Sequence, residues 1–243
     1  LPIVGGSILS HEHFQGGRYV FPMEKAGERE TFSLQRFPGI HFSIVNWPMS
    51  VIRLRGKDAE DCSSAASFIL SRFRAYNDKA LGILSHTGET LHNTITPIAR
   101  MRDGLYELDL VLRNNRTTEE HPLGLFHPHE EWHNIKKENI GLIEVMGLAV
   151  LPSRLEGELS ALGDAIVKKE DISKNPVLMK HFAFSEGIKR KYSSITKENI
   201  HKILQKEVGR VFLEVLRDAG IFKDTEEGRE GFRRFVQSLE REA

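Results

Sequence analysis

The amino-acid sequence predicts an α+β protein: an antiparallel sheet with packed helices, followed by a helical C-terminal region. Three observations carry that prediction. Strand-type alternation dominates before Pro152. A turn signal, Arg102-Asp103-Gly104, joins two such runs as a hairpin. Beyond Pro152 the apolar residues recur at helical spacing instead. The expected division is residues 1–151 as the α+β portion and residues 152–243 as the helical region.

The elements follow in order. Residues 2–21 read as extended chain, in which His11, His13 and Gln15 share one face. Gly16 and Gly17 interrupt it, Tyr19-Val20-Phe21 resumes β character, and Pro22 ends it. Residues 40–54 read as strand broken at Trp47-Pro48. Asp58 then suits a helix N-cap, with Ala65, Phe68, Ile69, Phe73 and Tyr76 on one helical face. Residues 91–100 and 105–113 form the hairpin strands, with Leu108, Leu110 and Leu112 opposite Glu107, Asp109 and Val111. A polar stretch over 114–139 contains His121, His127, His129 and His133. The apolar run 140–151 is expected as a buried strand, although periodicity alone leaves a helix open there. Helices are expected near 153–169, 175–191, 197–218 and 226–241. In the third, Ile200, Ile203, Leu204, Val208, Val211, Phe212 and Val215 make an apolar stripe.

Composition narrows the function classes. The chain has 243 residues, enough to bury roughly three-quarters of its unfolded surface. Its 34 Lys and Arg balance 34 Asp and Glu, which argues against a dedicated nucleic-acid or membrane-surface binder. The single cysteine, Cys62, has no internal partner, so an intracellular, cytoplasmic protein is expected, with Cys62 as a structural residue. Lys189-Arg190-Lys191 reads as a solvated helix face. Neither a glycine-rich nucleotide loop, nor a G-x-S-x-G elbow, nor a C-x-x-C pair occurs.

Chemistry therefore rests on the eleven histidines. On an extended segment His11, His13 and Gln15 offer a nucleophile or acid–base pair and an amide donor, beside glycines that leave backbone N–H groups open to an anion. The same residues also suit a half-exposed polar strand. His127, His129 and His133 have spacing that fits either a zinc site or a polar loop. The scattered His41, His86, His92, His121, His181 and His201 read as surface or satisfied core residues.

Two strings go further. Residues 5–17, Gly5-Gly6-Ser7-Ile8-Leu9-Ser10-His11-Glu12-His13-Phe14-Gln15-Gly16-Gly17, resemble the active-site strand of the galactose-1-phosphate uridylyltransferase family, which belongs to the histidine-triad-like superfamily. Residues 127–147, from His127-Pro128-His129 to Met146-Gly147, are similar to the second, Firmicutes-type class of that family. The resemblance covers essentially the whole chain and implies a histidine-triad-like sheet. It implies ping-pong transfer of UMP from UDP-glucose to galactose 1-phosphate through a uridylyl group on His13. His11 and Gln15 are then its partners in the site. It also implies a homodimer, with residues 140–151 near a shared sheet edge.

The chain departs from the better-known class of the family. Glu24 and His92 match members of that class's metal site, but Glu107-Leu108-Asp109 stands where an H-x-H pair is expected. A divalent metal ion is thus an open cofactor candidate, with the carboxylates as alternative ligands for it. The family's members are about twice as long, so the chain is expected to be a C-terminal half. Two other classes remain to be weighed: a metal-dependent hydrolase using His127, His129 and His133, and a non-catalytic sugar-phosphate-binding domain.

Overall fold

Five antiparallel strands form the main sheet in the computed structural model, which describes residues 1, 4 and 14–240. They are β1 (Glu28–Phe32), β2 (His41–Val45), β3 (Val51–Gly56), β6 (Asn93–Arg102) and β7 (Leu105–Asn114), in spatial order β1-β2-β3-β7-β6. A small hairpin of β4 (His86–Thr87) and β5 (Thr90–Leu91) stands apart. The helices are α1 (Pro22–Lys25), α2 (Ala59–Ala75), α3 (Leu142–Val145), α4 (Arg154–Lys168), α5 (Phe182–Lys191), α6 (Ile200–Ala219) and α7 (Glu226–Glu240). The expected α+β class is what the chain adopts.

Local chemistry explains the boundaries. Asp58 caps α2, its Oδ1 accepting from the N–H groups of Glu60 and Asp61 at 2.8 and 3.0 Å. The β6–β7 turn places Asp103 at φ 51° and Gly104 at φ 75°, the pair of positive angles a two-residue hairpin requires. Pairing runs from Arg102 opposite Leu105 to Asn93 opposite Asn114.

The chain forms two compact units. One comprises 1–127, 139–148 and 216–243. Its core lies between one sheet face (Phe42, Ile52, Leu54, Leu110, Leu112) and the α2 residues Cys62, Ala65, Ile69 and Phe73. The C-terminal helix α7 joins this core, with Phe235 in edge contact with Phe73 and Tyr76. Cys62 is fully buried there, and burial pushes its thiol pKa up. The other unit comprises 128–138 and 149–215. Its core joins Leu162, Ala165 and Ile166 of α4 to Ile188 of α5 and to Ile200, Ile203 and Leu204 of α6. The predicted α6 stripe is buried from Ile200 to Val215.

Three expectations need correction. Residues 14–21 form no strand, including Tyr19-Val20-Phe21; no described strand pairs with them, and a lone strand cannot satisfy its backbone groups. The run 140–151 is not a buried strand. It holds the short helix α3, where the Glu144 carboxylate accepts the Gly141 N–H at 2.9 Å, and Leu148 and Val150 are exposed. The second C-terminal helix starts at Phe182 rather than near 175. The Asn175 side chain accepts from the N–H groups of Val177 and Leu178, at 3.0 and 3.3 Å, which closes a turn there instead.

Candidate active site

The first motif is only partly within the described residues. His11 and His13 lie outside them. Phe14, Gln15, Gly16 and Gly17 are exposed and irregular. What the structure does define is how the chain just beyond the motif is fastened to the sheet.

That fastening is built on the sheet face opposite α2. Strand alternation puts Arg53 and Arg55 of β3, Arg100 and Arg102 of β6, and Glu107 and Asp109 of β7 on this face. Both carboxylates are fully buried. Asp109 is directly opposite Arg53, which reaches it with Nε at 2.6 Å and Nη2 at 2.9 Å. Arg100 donates to both Asp109 and Glu107, and Arg55 Nε meets Glu107 at 2.6 Å. Such charge-assisted, bidentate pairs are the strong form of the hydrogen bond. Burial alone would lower the Arg53 pKa; the bond to Asp109 and the charges of Asp109 and Glu107 raise it instead.

The remaining donors reach the backbone after the motif. Arg53 Nη2 and Nη1 donate to the carbonyls of Met23 and Ala26, each at 3.0 Å. Arg102 donates to the Glu24 carbonyl, and the Met23 N–H reaches the Met146 carbonyl at 3.2 Å. The segment that follows Gln15 is thereby held to the sheet by two arginines and buried at Met23. These arginines carry no role in the sequence reading. The hairpin register by itself sets only Arg100 opposite Glu107; Arg53 comes opposite Asp109 through the pairing of β3 with β7.

The same geometry bears on the metal. Glu107 and Asp109 are occupied by guanidiniums, which leaves no oxygen arrangement suited to a dication. His92 is buried with Nδ1 hydrogen-bonded to Asn115 Oδ1 at 2.8 Å and Nε2 to the Thr87 hydroxyl at 2.9 Å, so both ring nitrogens are taken. With these partners, His92, Glu107 and Asp109 do not fit a metal site. Among the described residues no cluster of three His, Cys, Asp or Glu side chains is placed to hold an ion.

The second motif is likewise not a metal centre. His127 is buried, its Nε2 bonded to Asn139 Oδ1 at 2.8 Å. His133 Nε2 donates to the Pro128 carbonyl at 3.0 Å. His129 precedes the 3-10 turn Glu130–Trp132 as its N-cap residue. Near the motif's end, Trp47 Nε1 donates to the Val145 carbonyl at 3.1 Å and Gly147 turns at φ 96° beside that indole. The histidines of this string order a loop, and the hydrolase reading loses its ligand set.

The structured part of the chain is thus an α+β domain whose antiparallel sheet clamps the segment that follows the H-x-H-x-Q string. Residues 3–181 match the family model described as galactose-1-phosphate uridyl transferase, C-terminal domain. The chain belongs to this family. It is 53% identical over 242 residues to a galactose-1-phosphate uridylyltransferase of Halalkalibacterium halodurans, covering 98% of this chain and 48% of that protein. The corresponding protein of Bacillus subtilis is 51% identical over 242 residues, 98% of this chain and 47% of the relative. That of Clostridium acetobutylicum is 55% identical over 240 residues, 98% and 48%. The chain spans about half the length of the curated relatives it matches. No solved structure matches it significantly.

Proposed function

We propose that this chain serves nucleotidyl transfer between UDP-glucose and galactose 1-phosphate, in galactose metabolism, with His13 as the nucleophile. The observation that carries the reading is the family match across residues 3–181, which includes His11, His13 and Gln15. A neutral imidazole nitrogen of His13 attacks the α-phosphorus of UDP-glucose. The P–O bond to glucose 1-phosphate breaks, and that group leaves with the bonding electrons. The phosphate oxygen of galactose 1-phosphate then attacks the same phosphorus, the P–N bond breaks, and UDP-galactose forms. Gln15 donates to a non-bridging oxygen as charge builds there, and His11 orients the imidazole. A phosphate acceptor is already ionised, so an amide suffices at the third motif position.

Among the described residues no helix is long and apolar enough to cross a membrane. We place the protein in the cytoplasm, acting as a homodimer. The test is trapping: incubation with UDP-glucose labelled in the uracil ring, followed by peptide mapping. Label on the His13 peptide in the wild type and none in His13→Asn is the expected result. Label elsewhere, or full turnover by His13→Asn, refutes the assignment.

A further inference from the structure

His181 is fully buried within the helical unit, at the end of the 3-10 turn Met179–His181, and the transfer scheme does not use it. Its two ring nitrogens meet groups of opposite character. Nε2 lies 3.1 Å from Glu158 Oε2 on α4, and Nδ1 lies 3.2 Å from Asn134 Nδ2 in the loop 128–138. An ionised carboxylate only accepts hydrogen bonds, and an amide NH2 group only donates them. Burial pushes the Glu158 pKa up, but its bonds to Lys180, His181 and Arg154 outweigh this and hold it at about 2. Glu158 is therefore ionised wherever an imidazole titrates. The ring is neutral in this arrangement, with its proton on Nε2 and the Nδ1 lone pair turned to Asn134.

A second proton can enter only at Nδ1, where it meets the Asn134 NH2 group, donor against donor. It also adds a third cation beside Arg154 and Lys180, which share the one Glu158 carboxylate at 2.8 and 2.5 Å. Burial holds the His181 pKa below the ordinary 6.5; Glu158 pulls it up, and Lys180 and Arg154 push it down. The other charged groups around this turn are engaged elsewhere or exposed. Asp171 and Lys174 of the preceding turn pair with each other, as do Glu186 and Lys189 of α5. In the loop, Glu130 and Glu131 are exposed, His133 bonds the Pro128 carbonyl, and Lys136 reaches the Val150 carbonyl. The Asn134 bond ties this loop to the turn that carries His181. Within the loop, order rests on short-range bonds, with the Ile135 and Lys136 N–H groups on the Trp132 carbonyl at 2.9 and 2.8 Å.

We infer that the His181–Asn134 contact is an acid-sensitive latch: a proton on Nδ1 breaks it and releases the loop 128–138 from the turn Met179–His181. A buried ring that becomes the third cation around one carboxylate is drawn towards water, which favours release over a rotation of the amide. The ¹⁵N-labelled chain is followed by NMR from about pH 8 to about pH 5. At the alkaline end the ring shows the Nε2–H tautomer. As His181 takes up its proton, hydrogen-exchange protection of the Ile135 and Lys136 amides falls about tenfold or more, with the same midpoint. His181→Gln, which can still accept from Asn134 and donate to Glu158 without titrating, keeps that protection throughout. Asn134→Asp offers Nδ1 a carboxylate and raises the proton affinity of His181 about tenfold or more. An Nδ1–H tautomer at the alkaline end, a ring that stays neutral throughout, or unchanged protection across the midpoint overturns the latch. So does an equal fall of protection in His181→Gln, or an unaltered proton affinity in Asn134→Asp.

Discussion

Arg53 and Asp109 face one another across β3 and β7, joined at 2.6 and 2.9 Å with both side chains almost completely buried. The pair links the sheet to the carbonyls of Met23 and Ala26, and so to the chain that follows Gln15. Removing one partner leaves an uncompensated buried charge, which costs about 3–5 kcal/mol. Asp109→Ala is expected to lose that much in urea unfolding. Arg53→Met combined with Asp109→Leu should lose clearly less than the sum of the single changes, by about 1 kcal/mol or more. Additive costs would mean the two residues do not act as a pair.

Arg113, also on β7, is the opposite case. It is buried, its Nε has no hydrogen-bond partner among the described residues, and its Nη2 lies 3.5 Å from the Ile140 carbonyl. Burial pulls its pKa down to about 10. A base whose folded pKa is depressed opposes folding while it is protonated in both states. That penalty is present below about pH 10 and is relieved as pH rises above it. Arg113→Met removes the charge and keeps the apolar stem. Its melting temperature is expected to equal or exceed that of the wild type, and a fall of several degrees would disprove the account.

Glu158 supplies a pH dependence of the other sign. Burial pushes its pKa up, but hydrogen bonds from Lys180, His181 and Arg154 outweigh this and hold it at about 2, against an ordinary 4.5. A depressed carboxylate stabilises the fold fully above pH 4.5, and the contribution drains away as pH falls towards 2. The cation partners are partly exposed, so the amount is on the order of 1 kcal/mol after solvent screening. Glu158→Gln is expected to be less stable at pH 7 and to show a shallower loss between pH 5 and 2. Equal slopes in acid for both proteins would count against it.

What the sequence disclosed, and what it hid, follow from the range of the interactions involved. The Asp58 cap, the Asp103-Gly104 turn and the α6 stripe are local patterns, and each appears where periodicity puts it. The run 140–151 misleads because apolar content is shared by strands and buried helices; the helix there closes with the Val145 N–H on the Gly141 carbonyl and the Glu144 carboxylate on the Gly141 N–H. The carboxylates Glu107 and Asp109 were visible as a departure from a histidine pair. Arg100 reaches them within the hairpin, but their neutralisation by Arg53 and Arg55 depends on pairing between segments more than fifty residues apart, which spacing along the chain does not reveal. His92 is decided in the same way, by Thr87 and Asn115.

Gly147 shows how closely the second motif is packed. At φ 96° it occupies a backbone region that other L-residues rarely adopt, and an added Cβ would lie 2.8 Å from Trp47 Cη2. Gly147→Ala combines backbone strain of about 1–3 kcal/mol with displacement of the indole. It should lower the melting temperature and change the Trp47 emission. A neutral effect on both would show that the turn is not constrained.

Gln15 gives the sharpest test of the proposed chemistry, because it separates assistance from bond formation. If His13 forms the covalent bond and Gln15 only donates to the phosphoryl oxygen, Gln15→Ala should keep the trapped label on His13. Its kcat should fall about 10²- to 10³-fold, the usual effect of losing one transition-state donor. Gln15→Glu places a negative charge beside that oxygen and should be slower still at pH 7, with partial recovery as the carboxylate is protonated in acid. That recovery is a signature a merely structural role would not produce. Pre-steady-state labelling of the three proteins, read across pH, decides the matter. Loss of label in Gln15→Ala would transfer the covalent role away from His13 alone, and an unchanged kcat would remove Gln15 from the site.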